Sequence, residues 1–139
     1  MKTRVILGVV AMMALPALGD EKPYRVNSKD VGWDSIDLTI SEVRRNGPVS
    51  VLRIPRYDNR TSVESRFAMC AFTDIAIQRD YAVWVVSNAK VVDDLVRVGF
   101  LKSESDDAVK LLGKEFGGDD ALRTSVETIN RLCGIRKTK

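Results

Sequence analysis

Residues 61–86 read TSVESRFAMCAFTDIAIQRDYAVWVV, and this stretch decides the fold class. Thr61-Ser62-Val63-Glu64 is a capping box, in which the Thr61 hydroxyl and the Glu64 carboxylate can each satisfy a backbone N–H that the first helical turn leaves free. Behind it Val63, Phe67, Cys70, Ala71, Asp74 and Gln78 mark one line of a helix, flanked by Ala68, Met69, Phe72, Ile75, Ala76 and Ile77. So wide an apolar face predicts a largely buried helix. Ala82-Val83-Trp84-Val85-Val86 then forms an apolar run of strand length, suited to a central strand covered on more than one side.

On the N-terminal side of this unit, Val49 to Ile54 is rich in β-branched residues and closed by Pro55, which predicts a strand. Strand, helix, strand in this order predicts a right-handed crossover or one leg of a split version. Asp34 to Arg45 carries two patterns at once. Ile36, Leu38 and Ile40 alternate with polar residues as a strand would, while Ile36, Ile40 and Val43 recur at helical spacing between a capping Asp34 and a stop at Gly47. The balance falls slightly to helix, with strand the open alternative and Asn46-Gly47-Pro48 a turn under both.

On the C-terminal side, Val96, Val98 and Phe100 alternate within Leu95 to Leu101, a third strand. Ser103 or Ser105 can cap a helix carrying Ala108, Val109, Leu111, Leu112 and Phe116, stopped by Gly117-Gly118. A last helix opened by Asp119-Asp120 runs through Leu122, Val126, Ile129 and Leu132 to Cys133. The expected architecture is an α/β or α+β domain with a small three- or four-stranded sheet, a buried crossover helix, two C-terminal helices and one disulfide.

Met1 to Gly19 reads as a signal peptide: Lys2 and Arg4 supply the positive start, Val5 to Leu15 the apolar core, and Ala17-Leu18-Gly19 the small residues at the cleavage site, with cleavage before Asp20. No apolar run approaches the roughly 20 residues that a spanning helix needs, and no cysteine near the site offers a lipid anchor. Residues 20–139 are expected as one globular domain, soluble and periplasmic or secreted. Removing Lys2 and Arg4 leaves 20 Lys and Arg against 19 Asp and Glu, a net +1, so the basic precursor gives no argument for nucleic acid or a membrane surface.

The chain has no histidine, which removes the usual general base of serine and cysteine hydrolases and the commonest transition-metal ligand. Cys70 and Cys133 are the only thiols. An even count in a small exported chain favours a disulfide between them, the alternative being two separately buried thiols. A bridge would close a 63-residue loop, worth roughly 4 kcal/mol by chain entropy.

Three acidic doublets, Asp93-Asp94, Asp106-Asp107 and Asp119-Asp120, have the residue type for acid–base or cation chemistry, but sequence neighbours point different ways and the last two suit helix N-termini. Between Arg44 and Arg66 stand six arginines and no lysine against Asp58 and Glu64. Arg53, Arg56 and Arg60, near the Thr61 cap, form the candidate anion site, since a guanidinium grips carboxylate, phosphate or sulfate at two points; the plainer alternative is a solvated face. No Gly-x-Ser-x-Gly elbow, Cys-x-x-Cys pair, calcium loop or phosphate loop is present. Asn59-Arg60-Thr61 matches a glycosylation triplet that a bacterial export signal makes coincidental. No catalytic residue, metal or cofactor is expected.

The buried cysteine-bearing helix from Arg66, the Tyr81 turn, the Trp-Val-Val strand ending at Val86, Val98-Gly99-Phe100-Leu101 and the C-terminal cysteine together resemble small exported α/β proteins of proteobacteria that have no assigned activity. That resemblance implies an exported α/β domain and carries no site residue. The expected function is a non-enzymatic binding or interaction domain of the bacterial envelope, for an envelope protein or an anionic small ligand. The alternatives are a carboxylate-dependent hydrolase and an inhibitor-like or structural periplasmic protein.

Overall fold

The computed structural model describes residues 22–134. The expected leader, Met1–Gly19, and its cleavage site lie outside them. One six-stranded sheet carries the fold: β1 Arg25–Asn27, β2 Thr39–Asn46, β3 Val49–Arg53, β4 Val83–Val86, β5 Leu95–Leu101 and β6 Leu122–Ser125. Its spatial order is β1-β2-β3-β5-β4-β6, and every neighbouring pair is antiparallel. Three helices accompany it, α1 Ser62–Gln78, α2 Ala108–Leu112 and α3 Val126–Cys133.

This corrects the expected three- or four-stranded sheet with two C-terminal helices. Asp34–Arg45 is not a helix. Most of it lies in β2, where Ile40 turns inward and is fully buried, and Gly47, at φ 60°, makes the hairpin turn to β3. The helical spacing through Val43 misleads because the β2–β3 register shifts between Glu42 and Arg44. Such a bulge breaks the two-residue alternation. Val43 is left 44% exposed, and Glu42 and Arg45, three apart in sequence, reach the same interior cluster.

The C-terminal correction has a related cause. Leu122–Ser125 pairs with the outer side of β4, a four-residue strand buried along its whole length, and only the final eight residues to Cys133 are helical. Backbone pairing with a buried strand overrides the helical spacing of Leu122 and Val126. Ser125, whose hydroxyl accepts from the Thr128 N–H, caps α3. Helix α2 is one short piece capped by Asp107 rather than Ser103 or Ser105, ended by Gly113 and followed by a 3-10 turn at Lys114–Phe116.

Strand β5 lies between β3 and β4, so those two run parallel without touching and α1 joins them as a split crossover. The main core lies between α1 and the sheet, where Phe67, Phe72, Ile75, Leu52, Val98 and Phe100 are buried together. Trp84 is completely buried there, edge-on to Phe72, and its indole N–H donates to Thr73 Oγ1 at 2.9 Å. The opposite face has a smaller core around Val83, Val85, Leu101 and Phe116. At Gly99 a Cβ would stand 2.6 Å from a Leu112 methyl, so the glycine lets α2 approach β5.

The disulfide joins Cys70 in mid-α1 to Cys133 at the end of α3, with Cα atoms 5.7 Å apart. Helix α3 buries none of its residues fully. Val126 and Ile129 rest against the main core, and Leu132 is 80% exposed.

Candidate functional site: the groove between β1 and α1

Tyr24 immediately precedes β1 and ties the edge of the sheet to the helix. Its hydroxyl donates to Asp74 Oδ2 at 2.8 Å, across 50 residues of sequence, and its backbone N–H donates to Glu42 Oε1 at 3.1 Å. Burial, then the charge and hydrogen bond of Asp74, push the phenol well above the ordinary tyrosine range, against an opposing pull from Arg79.

Glu42 is only 7% exposed, and six donors converge on its two oxygens. Arg45 reaches both with its Nε and Nη2 at 3.1 and 2.9 Å, Arg79 reaches both with Nη1 and Nη2 at 3.1 and 2.8 Å, and the Ser50 hydroxyl and the Tyr24 N–H complete the set. Burial alone would raise the Glu42 carboxyl; the hydrogen bonds from Arg45, Arg79, Ser50 and the Tyr24 backbone outweigh it and lower the pKa to about 2. Arg79 is the C-cap of α1, so the end of the helix is locked to β2. Two guanidinium groups around one carboxylate leave the cluster with surplus positive charge.

Arg79 also lines a cleft of about 520 Å³, with Lys22, Tyr24, Arg25, Val26, Asp74 and Gln78. Lys22 and Arg25 are exposed and make no ion pair with a described residue. Tyr24, Val26 and Asp74 also line a second, smaller space of about 190 Å³, together with Val31, Trp33, Phe67 and the Cys70–Cys133 bridge. Trp33 packs edge-on against Phe67 with ring centroids 5.4 Å apart. The groove between β1 and α1 thus holds two adjoining spaces that share Tyr24, Val26 and Asp74, one basic in its lining and one apolar and aromatic.

Each of the arginines singled out in the sequence has a contact of its own. Arg56, in a left-handed conformation at φ 59°, lays its guanidinium on Glu64; hydrogen bonding from Arg56, then from the Thr61 N–H, holds the Glu64 carboxyl below its ordinary value. Arg60 stacks over the Tyr57 ring, 3.9 Å from its centroid, and donates to the Tyr57 carbonyl. Arg53 turns toward the Asp93 carbonyl at 3.4 Å. Two of the doublets have local duties: Asp94 accepts from the Arg56 and Tyr57 N–H groups, Asp106 from the Ser103 N–H and Asp107 from the Lys110 N–H. Among the described residues no group of three or more His, Cys, Asp or Glu could hold a metal, and no helix is long and apolar enough to cross a membrane.

Tyr24, Trp33, Glu42, Asp74 and Arg79 escaped sequence reasoning. Only Glu42 and Arg45 leave a local trace, and it requires knowledge of the bulge. No family model, curated protein or solved structure matches the chain, so no residue role reaches it from a relative.

Proposed function

We propose that this chain is an exported, non-enzymatic binding domain whose β1–α1 groove takes an anionic group at its basic end and an apolar group at its aromatic end. The residues shared by the basic and the aromatic space, Tyr24, Val26 and Asp74, carry the reading, because they set the two linings side by side. Small sites commonly combine an apolar surface with a few convergent polar groups, and Lys22, Arg25 and Arg79 supply charge for an anion. Glu42 has both oxygens engaged, so a neighbouring carboxylate at Asp74 has no free partner with which to divide acid and base roles. Export is supported by the leader pattern at Met1–Gly19 and by a disulfide of the kind that oxidising compartments preserve.

The test is titration with 8-anilino-1-naphthalenesulfonate, an aromatic sulfonate, followed by amide chemical shifts. Saturable shifts at Val26, Val31 and Ala71 are expected, weakening as salt rises and in a Lys22→Ser/Arg25→Ser variant. Absence of saturable shifts in the groove, or equal binding by that variant, overturns the reading. The export half predicts a mature N-terminus at Asp20 in material from the native host; an intact Met1 contradicts it.

A further inference from the structure

We infer that the occupant of the groove is an extended acidic peptide that adds to β1 as a seventh strand, a proposal that rests on the groove reading above. The Tyr24 carbonyl accepts from the Glu42 N–H, and the Ser28 N–H donates to the Leu38 carbonyl. In an antiparallel pair the residues bonded to the partner alternate with residues whose N–H and C=O point away. With Val26 opposite Ile40 between those two contacts, the backbone groups of Arg25 and Asn27 point to the outer edge, where no described strand pairs. An edge of this kind is a template for another chain.

Charge and shape select what the edge can take. Lys22, Arg25 and Arg79 stand against one carboxylate, Asp74, in the lining of one end of the groove, so a basic strand is repelled and an acidic one attracted. Val26, Trp33 and Phe67 at the other end give alternate side chains of the added strand an apolar seat. The opposite edge, β6, has one basic side chain, Arg123, already engaged on the Glu104 carbonyl at 2.6 Å, so it has less charge to draw an acidic strand. Arginine and lysine beside β1 also oppose edge-to-edge pairing of two copies of this chain, because like charges would meet.

The probe is acetyl-Glu-Val-Glu-Val-Glu-Val-amide, compared with its Lys-Val counterpart and with two isomers N-methylated on the valines or on the glutamates. Binding of the acidic peptide should saturate and slow solvent exchange of the Arg25 and Asn27 amide protons. One methylated isomer should bind about tenfold more weakly or worse, and the other near normally, because only alternate amides face β1. The Lys-Val peptide should bind at least about tenfold more weakly than the acidic one. If the acidic peptide binds without slowing those two amides, if both isomers bind alike, or if protection appears at β6, strand addition is wrong while the groove reading stands. If no peptide binds but the naphthalenesulfonate does, strand addition again fails alone. If neither binds, both fail.

Discussion

Arg56 and Arg79 each end on a glutamate, in opposite circumstances. Arg56 has a side chain 57% exposed and meets Glu64 eight residues away, at the start of the same helix that the capping box begins. Arg79 meets Glu42 across 37 residues, with Arg45 and Ser50 on the same carboxylate and little solvent near either side chain. Glu64 itself is buried, but with the guanidinium in water the pair adds less to stability than an enclosed one, because water screens it and a long side chain loses freedom. In the enclosed cluster the Arg45 and Arg79 side chains are only 19% and 20% exposed, so removal of the carboxylate leaves most of each guanidinium short of both partner and water. Residue type alone therefore says little about what an arginine does; the number of donors that share one acceptor, away from water, says much more.

Breaking the buried cluster gives the largest expected effect. Glu42→Ala strands two guanidinium groups and should cost on the order of 3 kcal/mol or more in urea unfolding, far beyond the effect of Glu64→Ala; equal losses would end the distinction between the two pairs. Acid unfolding sharpens it. Both carboxyls titrate below their ordinary value of 4.5 when folded, Glu42 at about 2. Their contribution is fully present above pH 4.5 and is lost as pH falls toward 2, because the unfolded chain binds protons first. Glu42→Gln should flatten most of that fall, and a profile unchanged by it would show that Glu42 is not its source.

Cys133→Ser should cost about 2 to 4 kcal/mol by freeing the 63-residue loop. In native-state hydrogen exchange the loss should be concentrated in α3, which buries no residue of its own. Uniform loss across α1 and α3 would mean that α3 holds its place without the bridge. Thr61→Ala, which removes the cap from the Glu64 N–H, should cost about 1 kcal/mol. Arg56→Ala comes last, with a change in Tm smaller than that of Thr61→Ala, because the guanidinium it removes stands in water and the Thr61 N–H still holds Glu64.

The parts legible in the sequence are those whose signals lie within one helical turn or one strand. The Thr61–Glu64 capping box is present in both directions, with the Thr61 N–H on Glu64 and the Glu64 N–H on Thr61. The Val-Trp-Val-Val run is buried at every position. Strand β5 occupies the span that its alternation marks. What misled was spacing without a partner: Ile36, Ile40 and Val43 suit a helix until β1 and β3 claim the backbone of β2 on both sides, and Leu122 suits one until β4 needs an outer neighbour. Arg53, Arg56 and Arg60 are a cluster in the sequence, and which group each one meets, the Asp93 carbonyl, Glu64 or the Tyr57 ring, is visible only in the fold.

By itself, the sequence determined where α1 begins, which runs are apolar enough to be central strands, and that two cysteines could make only one bridge. Each follows from covalent neighbours and hydrophobic periodicity, which act over a few residues. Tertiary structure alone decided that the sheet has six strands, that a bulge at Val43 brings Glu42 and Arg45 to one cluster, and that Tyr24, Asp74 and Arg79 meet at a groove. Those outcomes depend on backbone hydrogen bonds and ion pairs between segments 18 to 50 residues apart, whose strength is set by the exclusion of water when the elements pack and not by anything a local stretch of chain encodes.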